Sequence, residues 1–144
     1  TADYLVMKYG KTNFNSLSDC DSLENGLDVL CNKIRSVLNA ELDVLLEESD
    51  IDAILKGEYT SYSSEVVKTV EWLTQEFVND LFSTLRERGL DLRTSKVIFV
   101  GGGAILLRRQ IEKSGKVANI QFVEDINANA KGYEFLYQEE AAGR

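Results

Sequence analysis

Histidine is absent from the 144 residues. That removes Ser-His and Cys-His nucleophile pairs and the commonest metal ligand. Proline is absent too, where roughly 5% usage would give about seven. Boundaries must therefore be read from glycines and capping residues. The two cysteines, Cys20 and Cys31, form neither a CxxC pair nor part of a ligand cluster. They read as inert packing residues in a reduced, cytoplasmic setting. No apolar run reaches the about 18 residues of a membrane span. The opening TADYLVMKYG lacks the basic region and cleavage site of a signal peptide. Lysine and arginine total 16 against 24 acidic residues, a net charge of −8, and they gather into no basic stripe. Direct duplex nucleic-acid binding is disfavoured on that ground, because phosphate neutralisation supplies most of such affinity.

What is present suits one globular domain: 44% apolar and 28% charged residues, on a chain long enough to bury a core. Asp3–Tyr9 reads as a strand ending at Gly10. Phe14, Ser16 and Leu17 suggest a second strand, antiparallel to it across a short loop. Asp21 or Ser22 is the expected helix cap. Leu23, Leu27, Leu30, Ile34, Val37 and Leu38 then recur at helical spacing to about Asn39. Ser49–Gly57 reads as a short helix with Ser49 and Asp52 at capping-box spacing. The clearest periodicity lies in Ser64–Arg88, where Val66, Val70, Leu73, Phe77, Leu81 and Leu85 mark one face before Gly89. Lys96–Val100 is a short apolar strand of the kind buried on both faces. A helix from about Ala104 to Lys113, a strand at Asn119–Val123 and a closing helix from Asp125 or Asn127 to about Gln138 follow. Residues 96–123 thus form a strand–helix–strand unit with parallel strands. A hairpin, then helices, then this unit imply an α/β fold with a mixed sheet flanked by helices.

Three of the ten glycines stand together in KVIFVGGGAILL. Gly101–Gly103 fit neither the Walker spacing nor the dinucleotide fingerprint, since Leu106 and Leu107 fall where those patterns need glycine or Lys-Ser/Thr. On spacing alone a tight strand-to-helix turn is the favoured reading. The alternative is a binding loop. Residues without Cβ let a flat group lie on bare backbone, and the loop leaves the carboxyl end of a strand, where ligands of α/β sheets bind. Arg108 and Arg109 resemble phosphate binders, but the expected helix puts them more than one turn in, on a solvated face.

VIFVGGGAILL, followed by FVEDINANAKGYEFL, resembles the C-terminal part of bacterial actin-like ATPases, most of all the ParM/StbA-type plasmid-segregation actins and their phage and archaeal relatives. Thr1-Ala2-Asp3-Tyr4 resembles the end of the second phosphate loop, D-x-G-G-x-T-x-D, shared by actins, sugar kinases and chaperone ATPases. The resemblance implies the ribonuclease H-like domain II of that superfamily. It puts a core at residues 1–26 and 89–144 around a helical insert at about 27–88. It implies a pocket for ATP or GTP with Mg²⁺, in which Gly101, Gly102, Gly103 and Ala104 lie against adenine and ribose and Thr1 lies near the phosphates.

The resemblance assigns no catalytic residue and no metal ligand to this chain. It gives ATP hydrolysis to the full-length protein, through groups mostly in the other half. Partners implied are further copies in a filament, with the insert as a contact surface, the N-terminal half of the same protein, and a DNA-bound adaptor in plasmid segregation or a related cytoskeletal role. It also places the central strand of the sheet ahead of Thr1, so the 144 residues alone are expected to fold poorly. The rival readings are a sugar or acetate kinase, a chaperone-type ATPase, and a non-catalytic interaction domain whose GGGA is only a turn.

Overall fold

The structure is a computed structural model; it describes the backbone of residues 2–7, 17–23 and 26–123, and side chains over 26–123. Thr1 and the expected closing helix, with its ANAKGY, lie outside the described residues.

Strands β1 (Ala2–Met7) and β2 (Leu17–Leu23) pair antiparallel, with Tyr4 opposite Asp21 and Asp3 opposite Ser22. The hairpin is as expected, but its second strand runs on to Leu23. This moves the first helix. Asp21 and Ser22 are strand residues, and α1 (Leu27–Leu42) starts from Gly26, whose extended backbone caps it without a side chain. Ladder hydrogen bonds use the backbone groups of 17–23 that a helix start would have left open. The helix also passes Asn39 and stops at Asp43, which takes a left-handed φ of 52°, a conformation aspartate tolerates.

Helix α2 (Glu48–Leu55) has its capping box two residues earlier than expected, on Glu47 and Asp50. Helix α3 (Ser64–Glu87) is capped by Ser63, whose hydroxyl accepts from the Val66 amide at 3.3 Å. Gly57 and Gly89 follow α2 and α3 with φ of 95° and 90°. The three helices enclose the main core: Leu30, Ile34 and Leu38 of α1, Ile51, Ile54 and Leu55 of α2, and Val66, Val70, Leu73, Val78 and Phe82 of α3. Thr74 is also fully buried, and its hydroxyl donates to the Val70 carbonyl at 2.7 Å.

Strand β3 (Lys96–Val100) leads into α4 (Gly102–Leu106) and α5 (Arg108–Ser114), and β4 (Asn119–Val123) returns parallel to β3, with Phe99 beside Phe122. The expected single helix is broken at Leu107, which caps both pieces. The mixed sheet is not formed among the described strands. They make two separate two-stranded sheets. A mixed sheet needs one strand with an antiparallel and a parallel neighbour, and each described strand has a single neighbour. Nor is β3 buried on both faces. Val97 and Phe99 pack toward the core, while Ile98 is 51% and Val100 39% exposed. Among the described residues, α3 reaches the face of Val97 and Phe99 through the Phe82–Phe99 contact.

The α2–α3 loop is tied down by one carboxylate. Asp50 accepts from the Tyr62 hydroxyl at 2.8 Å and from the Glu47 amide at 2.9 Å. The Tyr62 bond, then the Glu47 bond, hold its carboxyl below the usual aspartate range. A depressed pKa stabilises the fold above the unfolded value, near 3.9, and the gain is lost as pH falls through the folded value. The same bond pushes the Tyr62 hydroxyl up, so its share is lost only at alkaline pH. Asp50→Asn is therefore expected to lower the melting temperature at pH 7 and to converge with the wild type as pH falls through the lowered folded-state value. Scans at several pH values check this.

Cys31 is half-buried and unpaired. Burial, and then Glu48, Asp52 and Asp28, push its thiol up against the smaller opposing pull of Arg35. It stays protonated at neutral pH, and the thiolate is the reactive form. In a Cys20→Ser background, iodoacetamide at pH 7.5 is expected to label it several-fold more slowly than free cysteine.

Candidate functional site

The glycine loop sits at the carboxyl end of β3, and α4 packs back on both β3 and β4. Its three glycines are not equivalent. Gly101 has φ 103° and ψ 167°, a region open to glycine alone. It is the turn that lets the strand become a helix, and its carbonyl accepts from the Ile105 amide at 3.2 Å. Gly103 is closely approached: a Cβ there would stand 2.9 Å from Leu27 Cδ1, the end of a half-buried side chain at the start of α1, which would have to turn aside. Gly102 is explained by neither. It is exposed, its φ is unexceptional, and a Cβ added to it meets no described atom within 4 Å. The amides of a first helical turn have no intrahelical acceptor, and at Gly102 the bare backbone faces open space among the described residues. Ala104 follows half-buried in α4. Gly101–Ala104 are thus one contiguous surface, while Thr1 lies outside the described residues.

Arg108 and Arg109 are not deep in a helix. They open α5, yet both are engaged within the chain. Arg108 Nε donates to Glu112 at 3.1 Å, and its guanidinium lies 4.8 Å from the Phe122 ring centre. Arg109 lies 5.5 Å over the Tyr59 ring, reaches the Leu55 carbonyl at 3.5 Å and approaches Glu71, the acceptor of the Tyr59 hydroxyl, at 4.0 Å. Gly57 makes room for it, since a Cβ there would meet Arg109 Nη1 at 3.0 Å. Arg109 therefore fastens α5 to the loop between α2 and α3.

Among the described residues no group of three or more His, Cys, Asp or Glu could hold a metal ion. A hollow of about 310 Å³ beside the end of α3, lined by Arg86, Arg93 and Lys116, sets cations against a helix carboxyl end, which they stabilise. No described helix is long and apolar enough to cross a membrane.

The model of the family described as archaeal actin homologue MreB-like, C-terminal, matches residues 1–113. The chain belongs to this family of actin homologues. The matched span includes the hairpin, all three core helices and the glycine loop, and ends one residue before the close of α5. No curated protein and no solved structure matches the chain. The match establishes an actin-like α/β domain, and it does so without the ANAKGY stretch, which lies beyond residue 113. What sequence reasoning missed in this actin homologue is Leu27, the side chain that presses on Gly103. Its only signal is position, directly after the capping Gly26 at the mouth of α1.

Proposed function

We propose that the chain forms the adenosine-facing half of the nucleotide pocket of a cytoplasmic, filament-forming actin-like ATPase. The observation that carries this reading is Gly102. It is the one glycine of the three with neither a positive φ nor a described atom close to an added Cβ, and among the described residues it leaves an open space beyond the carboxyl end of β3. Adenine and ribose lie there against the backbone of Gly101–Ala104, with Thr1 toward the phosphates. Mg²⁺ accompanies the nucleotide and offsets phosphate charge; its ligands are assigned outside the described residues. The groups that position the attacking water belong to the other half of the protein. Nucleotide closes the two halves on each other, and closed protomers stack. A role in plasmid segregation, with a DNA-bound adaptor, is the finer form of the reading. It is supported by the likeness of GGGAILL and ANAKGY to the ParM/StbA type, whereas the family match speaks for actin homologues generally.

The test is light scattering of the intact protein with Mg-ATP, Mg-GTP or no nucleotide, beside a binding titration. A nucleotide-dependent rise that decays with hydrolysis is the expected result. Binding without polymer would favour a kinase or chaperone-type ATPase, and no binding would leave GGGA as only a turn.

A further inference from the structure

Trp72, the single tryptophan of the sequence, is 61% exposed in the middle of α3. It borders an open groove of about 600 Å³ between α1 and α3. The charges around it follow a rule. On α3, Lys68, Trp72 and Glu76 are spaced i, i+4, i+8; on α1, Lys33, Val37 and Glu41 repeat that order, and all six line the groove. Each helix thus presents a cation, an apolar centre and an acid along one face. Among the described residues none of the four charges has an ion-pair partner.

We infer that this groove is a two-fold contact with a second copy of the chain. The charge pattern selects the occupant. The groove itself is balanced, and its order is its own complement when reversed. Lys68 and Glu76 stand about 12 Å apart along the helix, with Trp72 midway. A two-fold axis at Trp72 runs the two α3 helices antiparallel. Lys68 then meets Glu76 of the second copy, and Glu76 meets its Lys68. The two tryptophans cover each other and the apolar floor at Val37 and Leu73. An isologous contact of this kind closes at two copies, so it pairs chains laterally and cannot by itself extend a filament. It needs no nucleotide, and its failure would leave the nucleotide reading untouched.

The experiment is sedimentation velocity on the intact, nucleotide-free protein over a concentration series. A patch of this size supports a dimer with Kd on the order of tens of micromolar. Lys68→Glu and Glu76→Lys each set like charges face to face and are expected to weaken the dimer about tenfold or more. Trp72→Ala removes the apolar anchor and does the same. The two single charge variants mixed in equal amounts are expected to pair with each other at least as well as the wild type, because each supplies the charge the other lacks. The double variant K68E/E76K should also dimerise. A wild type that stays monomeric at several hundred micromolar, or a mixture no tighter than its components, overturns the inference.

Discussion

Phe82→Ala is expected to lower the unfolding free energy of the intact protein by about 3–5 kcal/mol, the range for a buried phenylalanine truncated to alanine. Phe82 is 2% exposed. Its ring centre lies 6.1 Å from that of Phe99 at a tilt of 54°, and Phe99 stacks on Phe122 at 5.2 Å and 20°. These three rings join the last turns of α3 to both strands of the parallel pair. Each is offset or tilted, the geometry in which ring quadrupoles attract. Removing the first ring leaves a void that neither strand can fill without leaving its partner. The expected loss is about a fifth or more of a typical domain stability of about 5–15 kcal/mol. Phe82→Leu keeps most of the volume and should cost less than about 1.5 kcal/mol. Calorimetry on the two variants checks the ratio. Equal losses would mean that α3 and β3 do not meet through this side chain. Strand β3 runs from Phe99 through Val100 into Gly101, so the loosened variant should also bind nucleotide more weakly at temperatures where it remains folded.

Much of this architecture was legible in the sequence, for a physical reason in each case. The α3 stripe is long enough for its period to be unmistakable, and glycines with left-handed backbone mark its end and that of α2. The parallel pair follows from two short apolar runs separated by one helical segment. Misreadings arose where a local signal competed with a distant one. Asp21 and Ser22 are good caps, but pairing with β1 claimed them first. Five apolar-rich residues in β3 suggested burial on two sides, whereas Val97 and Phe99 pack on the core and Ile98 and Val100 are exposed. Thr74 sits in the core because its hydroxyl finds the Val70 carbonyl one turn back, which makes a polar residue acceptable there. Arg109 is exposed, as read, but its contact with the Leu55 carbonyl, 54 residues away, lies beyond any periodicity. The site shows the same division. That GGGA could face a ligand was readable from its place after a strand. Which of the three glycines stands open was not, since that depends on Leu27 from another element.

Gly102→Val is expected to weaken nucleotide binding by the intact protein about tenfold or more, which is about 1.4 kcal/mol of lost affinity, while leaving its melting temperature nearly unchanged. The two halves of that expectation have separate causes. Gly102 is exposed, has no left-handed φ and has no described atom within 4 Å of an added Cβ. Valine is therefore accepted by the free protein at a cost within about 0.5 kcal/mol, as at other surface positions. Any large loss of affinity then reports on what occupies the space when nucleotide binds. The neighbouring glycines serve as controls because their constraints lie inside the fold. Gly101→Val forces a side chain into φ 103°, ψ 167°, at about 1–3 kcal/mol of backbone strain, and Gly103→Val drives a methyl toward Leu27 Cδ1, which a bare Cβ already approaches to 2.9 Å. Gly101→Val should lower the melting temperature more, and Gly103→Val by less, since the end of Leu27 can turn aside; affinity that either loses follows from stability. Only Gly102→Val should separate the two measurements. If its affinity stays within about twofold of the wild type, adenosine does not lie on this loop, and all that GGGA does is turn a strand into a helix and make room for Leu27.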